Sequence, residues 1–389
     1  MVSAMTTDAR SLIERAKSLA PLLAQHAEEA ERLRRPHDAV IEALEAAEIF
    51  KLMVPRCYGG LELDLDTFLE VGLALAEGDA SMAWVATFYI EHNWMFCQFP
   101  ESFQKEFFAD RKYVLAPAAV AIAGVAQSVA GGYQLSGRWQ WGTGVMHCDW
   151  VIVGASVERP DDEVDVRFFA MPRADVEVDD TWYVDGMQAT GSNDIVIEDL
   201  VVPEERTVSL IEMAAGSGPG AAIHPGPLYR TPMAPILGLA ACMPAIGQAR
   251  AALRAFGDRM SERVLFGTGS KQADKPAAQI RLARAEIEVS QLELLVRDVV
   301  RDVMAVRNNA TPQDRTRWLA CYAIAVDRSK RVLASIAEAS GASAHFQNHP
   351  LQRAVRDVNT LACHAIFDSD ARLENHGRSL LGLEPIGLF

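Results

Sequence analysis

The chain has 389 residues, half of them hydrophobic and 23% charged, with 37 Lys and Arg set against 52 Asp and Glu. A formal net charge of −15 and a pI near 5.1 argue against nucleic acid or an anionic membrane as partner, since both demand a basic footprint. The six cysteines (Cys57, Cys97, Cys148, Cys242, Cys321, Cys363) are scattered without a C-x-x-C pair, which suggests neither a disulfide framework nor a metal site and points to reduced thiols in a cytoplasm.

Met1 to Leu19 is acidic within eight residues and has no basic stretch leading into an apolar one, so no signal peptide is expected. No run of eighteen apolar residues occurs, so no membrane span is expected either. Leu12, Leu19, Leu22 and Leu23 recur at helical spacing; after a break at Pro36, so do Val40, Ile41, Leu44 and Ala47. The turn at Tyr58-Gly59-Gly60 precedes helices beginning near Asp64 and Asp79, each supplying an acidic N-cap. From about Tyr113 to Arg206 the period shortens. Runs at 150–155, 166–171 and 195–202 alternate with turn residues and read as a compact β unit. Residues 214–235, with Gly216-Ser217-Gly218-Pro219-Gly220, read as a linker or covering loop. Helices expected over 235–261, 275–306, 312–340 and 350–381 form an antiparallel four-helix bundle.

The fold class is therefore α+β, mainly α. An N-terminal α-helical domain occupies 1–112, a central β domain 113–210, a linker 211–234 and the bundle 235–389. No strand runs into a helix through G-x-G-x-x-G, which argues against a doubly wound dinucleotide-binding fold, and no P-loop, H-E-x-x-H or G-x-S-x-G is present. The chain thus offers no nicotinamide site of its own.

The most informative segment runs from Gly131 to Gly144. A glycine turn feeds a strand in which period-two alternation puts Trp139 and Trp141 on one face. The strand stops in Gly142-Thr143-Gly144, which lets backbone approach a flat ligand closely and presents one hydroxyl beside a slab of indole. A ring system such as a flavin suits that surface.

Further blocks follow in a telling order: Leu33-Arg34-Arg35, Val54-Pro55, Tyr58-Gly59-Gly60, His92-Asn93-Trp94, Gly131 to Gly144, Ala189-Thr190-Gly191-Ser192-Asn193, Ala339-Ser340-Gly341-Ala342, and Gln352-Arg353 through Arg356-Asp357 to His364. Together they resemble the acyl-CoA dehydrogenase superfamily over nearly the whole chain. Within it the chain is similar to the oxygenase components of two-component flavin-dependent monooxygenases, the group that includes para-hydroxyphenylacetate, secosteroid and indole monooxygenases. The resemblance implies a homotetramer with flavin near subunit boundaries, reduced flavin arriving by diffusion from a separate NAD(P)H-flavin reductase, and O2 as co-substrate. Trp141, Gly142, Thr143 and Gly144 match the family segment that borders the isoalloxazine, with Thr143 facing its N5 edge. Thr190, Gly191 and Ser192 match a second flavin-contacting loop. Arg263-Val264-Leu265-Phe266-Gly267 resembles a segment that meets the diphosphate and adenosine half of FAD from a neighbouring subunit, so Arg263 and Phe266 are expected to bind cofactor, and Arg263 leans it slightly towards FAD over FMN.

Chemistry separates the readings within the superfamily. A dehydrogenase needs a carboxylate base, and the matching loop from Ala116 to Gly124 carries no acid. A monooxygenase needs a dry pocket in which a flavin C4a-hydroperoxide transfers oxygen before it decays. The resemblance places His364 in the substrate-facing position; His92 and His364 are the imidazoles expected to move protons, and Thr143 completes the catalytic set. The expected pocket is His92, Trp94, Ala118, Ala119, Ile122 and His364, with no metal. Because Pro117 to Gly124 is almost wholly Ala, Val and Ile, a weakly polar ring is expected, indole or an indole derivative ahead of a phenol. An acyl-CoA dehydrogenase-like flavoenzyme is the alternative, and a catalytically silent flavin-binding protein the second.

Overall fold

The computed structural model describes residues 6–158, 165–267 and 269–387. Five helices come first: α1 (Thr7–Leu33), α2 (Asp38–Ala46), α3 (Leu65–Ala76), α4 (Ala80–Phe96) and α5 (Glu101–Phe107). Asp64 and Asp79 cap α3 and α4, accepting from the N–H groups of Leu65 and Met82. Every residue of α4 is buried, as befits a helix that is apolar all round and lies in the interior.

Seven strands follow: β1 (Ala118–Val129), β2 (Gly132–Gly142), β3 (Trp150–Glu158), β4 (Asp165–Pro172), β5 (Glu177–Asp179), β6 (Asn193–Pro203) and β7 (Thr207–Ser209). They form one mixed sheet in the order β5-β6-β2-β1-β3-β4-β7, with β1 and β3 parallel and the other pairs antiparallel. Residues 118–124, expected as an apolar loop, are the first half of β1. Alternation splits the strands between two cores. Ile152, Phe168 and Ala170 join the large helical core, whereas Val151, Val153, Phe169 and Met171 pack with Trp139 and Leu135 in a second core belonging to the sheet.

The chain then returns to helix: α6 (Leu210–Ala215), α7 (Met233–Glu262), α8 (Pro276–Val306), α9 (Pro312–Ser340), α10 (Pro350–Leu361) and α11 (Ser369–Leu380). Helix α7 is long and apolar enough to cross a membrane, but its apolar window is 83% buried within the protein. The large core contains α1 to α5 and α7 to α10 alike. Arg307, after α8, clamps Asp64 with two hydrogen bonds of 3.0 and 2.6 Å, joining the two helical parts.

Two expectations change. The single helix expected over 350–381 is broken: α10 ends at Leu361, and His364 adopts an extended backbone in which its Nδ1 accepts the Ile366 N–H at 3.2 Å. A side chain that captures a nearby backbone donor competes with helix continuation, so His364 caps a short turn rather than sitting within an apolar helix. The expected linker is also firmly held. Trp94 Nε1–H donates to the Leu228 carbonyl (3.0 Å), the Tyr229 hydroxyl to the Met53 carbonyl (3.0 Å), and Gln98 to the Tyr229 carbonyl (2.8 Å).

Candidate active site

The end of β2 sets the site. Its register with β6 slips between the Trp139–Ile195 and Gly142–Asn193 pairs, and with that irregularity the two indoles part. Trp139 is buried in the sheet core, its Nε1–H on the Gly154 carbonyl at 2.7 Å. Trp141 is 54% exposed, with Trp182 edge-on at 5.9 Å. The expectation of a shared face is therefore wrong: a register irregularity breaks period-two alternation.

Beyond β2 the chain turns through Gly144 at φ +77°, where a Cβ would lie 2.6 Å from the Tyr89 hydroxyl. Glycine is required on both counts. That hydroxyl donates to the Gly144 carbonyl, while the Gly144 N–H donates to the Thr190 carbonyl at 3.0 Å. Residues 142–144 and 190–192, the two segments that the resemblance assigned to flavin contact, are thereby joined.

Their hydroxyls form a chain whose direction can be worked out, because each hydroxyl has one proton to give. Thr190 donates to the Met187 carbonyl (2.9 Å), so in its 2.7 Å contact with Ser192 it accepts. Ser192 has then spent its proton and must accept from Thr143 at 3.0 Å. Thr143 in turn accepts from Trp84 Nε1–H at 3.3 Å. The result runs Trp84 to Thr143 to Ser192 to Thr190 to the Met187 carbonyl. Thr143 keeps one lone pair, so towards a bound ring it is an acceptor.

Under this chain, the Met187 N–H donates to Asp357 Oδ1 at 2.6 Å, and Ser81 reaches Oδ2 at 3.5 Å. Burial first, then the neighbouring Asp79 carboxyl, push Asp357 up to about 8. It is a neutral acid at neutral pH and holds the loop in place. Arg356 pairs instead with Glu31 at 2.5 Å.

Trp84 begins a row of rings along α4. Phe88 lies 4.7 Å from it and His92 5.4 Å beyond Phe88, following i, i+4, i+8 spacing. Across the row, His364 meets Trp84 edge-on at 5.6 Å. One row of side chains thus connects Thr143, His92 and His364.

The two imidazoles have opposite, fixed tautomers. His92 is buried, with Nδ1 2.6 Å from the Ala116 carbonyl. A carbonyl can only accept, so Nδ1 bears the hydrogen and Nε2 a lone pair. Burial pushes His92 down to about 4, against the opposing pull of that carbonyl. His364 is half-buried and accepts at Nδ1, so its hydrogen is on Nε2. Burial, then the charge of Arg372, push it down to about 4 as well. At neutral pH both rings are uncharged, one an acceptor at Nε2 and the other a donor.

Several expected residues fall elsewhere. Trp94, two positions beyond His92, points to the other side of α4 and holds the Leu228 carbonyl. Ile122 is 42% exposed on β1, because residues 118–124 are strand; Ala118 is half-buried and Ala119 buried. It is the carbonyl of Ala116, two residues before β1, that meets His92. Arg263 donates to Gln272 Oε1 and to the carbonyls of Ala339 and Ser340 at 3.1 to 3.3 Å, closing the C-terminus of α9. Phe266 is fully exposed near the tip of a turn bridged by Val264 and Lys271. Sequence reasoning missed Trp84, Phe88 and Tyr89, which read in sequence as ordinary aromatic core residues of α4, and Glu91, which reads as an ordinary polar residue.

A flavin fits these residues: a turn with Gly142 and Gly144 on either side of Thr143, an exposed indole at Trp141, a hydroxyl chain that leaves Thr143 one free lone pair, and two neutral imidazoles beyond a row of aromatic rings.

Comparison with known proteins agrees. Residues 239–369 match the family model "Acyl-CoA dehydrogenase, C-terminal domain". The chain is 34% identical to a pigment production hydroxylase of Rhodococcus sp., covering 96% of each. It is 30% identical to HsaA of Mycobacterium tuberculosis, the oxygenase subunit of a flavin-dependent monooxygenase, covering 99% of each. Among solved structures, XiaF from Streptomyces sp., in complex with FADH2 and glycerol, superposes with a TM-score of 0.91 at 29% identity over 97% of each chain.

Proposed function

Because the chain belongs to the oxygenase subunits of two-component flavin-dependent monooxygenases, built on the acyl-CoA dehydrogenase fold and using flavin with O2 as co-substrate, we propose that it hydroxylates or epoxidises a small aromatic molecule. An indole or indole derivative is the favoured substrate, with a simple phenol as runner-up. Reduced flavin, when bound, supplies the electrons that activate O2.

The residues divide the remaining work. Thr143, whose proton is committed to Ser192, offers its lone pair to a donor on the flavin ring. Trp84 and Phe88, each 6% exposed, wall the reacting region with apolar surface, which slows wasteful decay of activated oxygen. His364 donates from Nε2, and His92 handles a proton at Nε2. Phe266, fully exposed, reaches a neighbouring subunit in a homotetramer, consistent with FAD rather than FMN. Arg263, engaged with the end of α9, acts there by holding the base of that turn.

The observation that supports the substrate preference is the setting of His92, buried in the interior with Nδ1–H committed to the Ala116 carbonyl, where a neutral imidazole is favoured. An imidazole pushed down to about 4 is too weak a base to strip a phenol, whose ordinary value is about 10. An indole carbon is nucleophilic without prior deprotonation. The test supplies NADH, an unrelated flavin reductase, FAD or FMN, and a panel of indoles and phenols. Oxygenated indole, visible as blue indigo, is the expected result. Efficient phenol hydroxylation without turnover of any indole would overturn the substrate preference, and no oxygenated aromatic at all would overturn the function.

A further inference from the structure

Glu91 stands next to His92 on α4, and neither side chain reaches solvent: their exposures are 0% and 1%. Glu91 Oε2 lies 3.3 Å from His92 Nε2. Among the described residues, neither carboxyl oxygen, nor that nitrogen, has another hydrogen-bond partner. Three adjoining polar atoms left bare in an apolar interior are costly unless they satisfy one another. The Nε2 atom is a pure acceptor because Nδ1–H is committed to Ala116, so what the cluster lacks is a hydrogen. A protonated carboxyl supplies it.

We infer that Glu91 is a positioning residue that acts through His92, its carboxylic hydrogen resting against Nε2 and crossing to that nitrogen when His92 works as an acid. The transfer breaks the Glu91 O–H bond and makes the His92 Nε2–H bond, leaving a carboxylate beside an imidazolium; when the Nε2–H bond then breaks, the proton goes to a basic oxygen of the reacting molecule, and Glu91 regains a proton from solvent between turnovers. Net charge in the interior is unchanged. That matters because an imidazole so buried holds no proton of its own at neutral pH; paired with Glu91, it has one to give. Burial alone pushes Glu91 up to about 8, and among the described residues no charged group on α3, α7 or the sheet shifts Glu91 or His92. The pair therefore keeps its hydrogen at neutral pH and loses it in alkali. The functional half of this inference rests on the reading of His92 as a group of the reacting region; the shared hydrogen does not.

The closing experiment has one arm without flavin. Infrared difference spectra of Glu91→Gln against wild type at neutral pH are expected to lose a protonated-acid carbonyl band while that of Asp357 persists. Nitrogen-15 histidine spectra should show the His92 Nε2 resonance shifting in the same variant. In the second arm, with reductase and substrate, Glu91→Gln is expected to lower product formation about 100-fold, to raise hydrogen peroxide release, and to abolish the fall in activity above about pH 8. Absence of the acid band, or a variant with wild-type yield and an unchanged pH profile, overturns the inference. If Glu91→Gln does not fold, Glu91→Met takes its place in both arms. Should wild type oxygenate no aromatic molecule, the reading of the site fails, and the spectra still uphold or overturn the shared hydrogen.

Discussion

Replacing Thr143 by valine tests the hydroxyl chain most directly. The exchange keeps the β-branched shape and deletes one oxygen, which accepts from Trp84 Nε1–H at 3.3 Å and donates to Ser192 at 3.0 Å. Ser192 keeps Thr190 as its acceptor at 2.7 Å, so the indole N–H of Trp84, a residue only 6% exposed, is the group left without a partner. A buried donor orphaned in this way costs about 1–3 kcal/mol, a fall of several degrees in melting temperature. The same oxygen is the acceptor for a flavin ring donor, and losing that contact should cost a similar amount, or about 5- to 150-fold in the ratio of oxygen transfer to peroxide loss. The assay supplies reduced flavin from an unrelated reductase and counts product and hydrogen peroxide against NADH consumed. Thr143→Ser keeps the oxygen and should stay close to wild type in both measurements. Wild-type peroxide yield together with a wild-type melting point in Thr143→Val would refute the directional chain and the role built on it.

Other outcomes follow from the same geometry. His364→Ala should lower product formation about 10²- to 10⁴-fold with flavin affinity largely retained, while His364→Asn, able to accept the Ile366 N–H, should restore the turn but not the rate; near-normal turnover by either from pH 6 to 9 would remove His364 from the chemistry. Asp357 is raised in the folded chain to about 8, so its contribution to stability is full below the unfolded value of 3.8 and is lost as pH rises through about 8. Asp357→Asn, which still accepts the Met187 N–H, should therefore flatten the decline in melting temperature between about pH 4 and pH 8, and an unchanged slope over that range would contradict the neutral acid. The purified chain alone should oxidise NADH negligibly, and rapid oxidation without a reductase would show a nicotinamide site that the sequence lacks.

The order and type of the elements were legible because their causes are local. Asp64 and Asp79 cap the helices they were expected to cap, and the runs at 150–155, 166–171 and 195–202 lie within β3, β4 and β6. What escaped depends on tertiary structure. The slip between β2 and β6 is set by pairing, not by the sequence of β2, so the parting of Trp139 and Trp141 was invisible. The break at His364 comes from one side chain capturing the Ile366 N–H. In the site, Thr143 and Ser192 are 49 residues apart; only the resemblance to a known family linked them. Glu91 reads in sequence as an ordinary polar residue on a helix, and becomes significant only once burial strips it of water.

The shared core of the two helical parts has a consequence for how the protein is made. Ser81 and Asp357, which meet under the Met187 loop, are 276 residues apart, and Asp64 and Arg307 are 243 apart. During synthesis at about 5–20 residues per second, α4 leaves the ribosome long before α7, α9 and α10 exist to cover it. A helix buried along its whole length in the finished fold must then wait tens of seconds for its partners, a period in which chaperone binding competes with aggregation. Low temperature, slow translation past Pro232 or a shortage of chaperones should therefore shift yield in the cell without altering the stability of the finished protein.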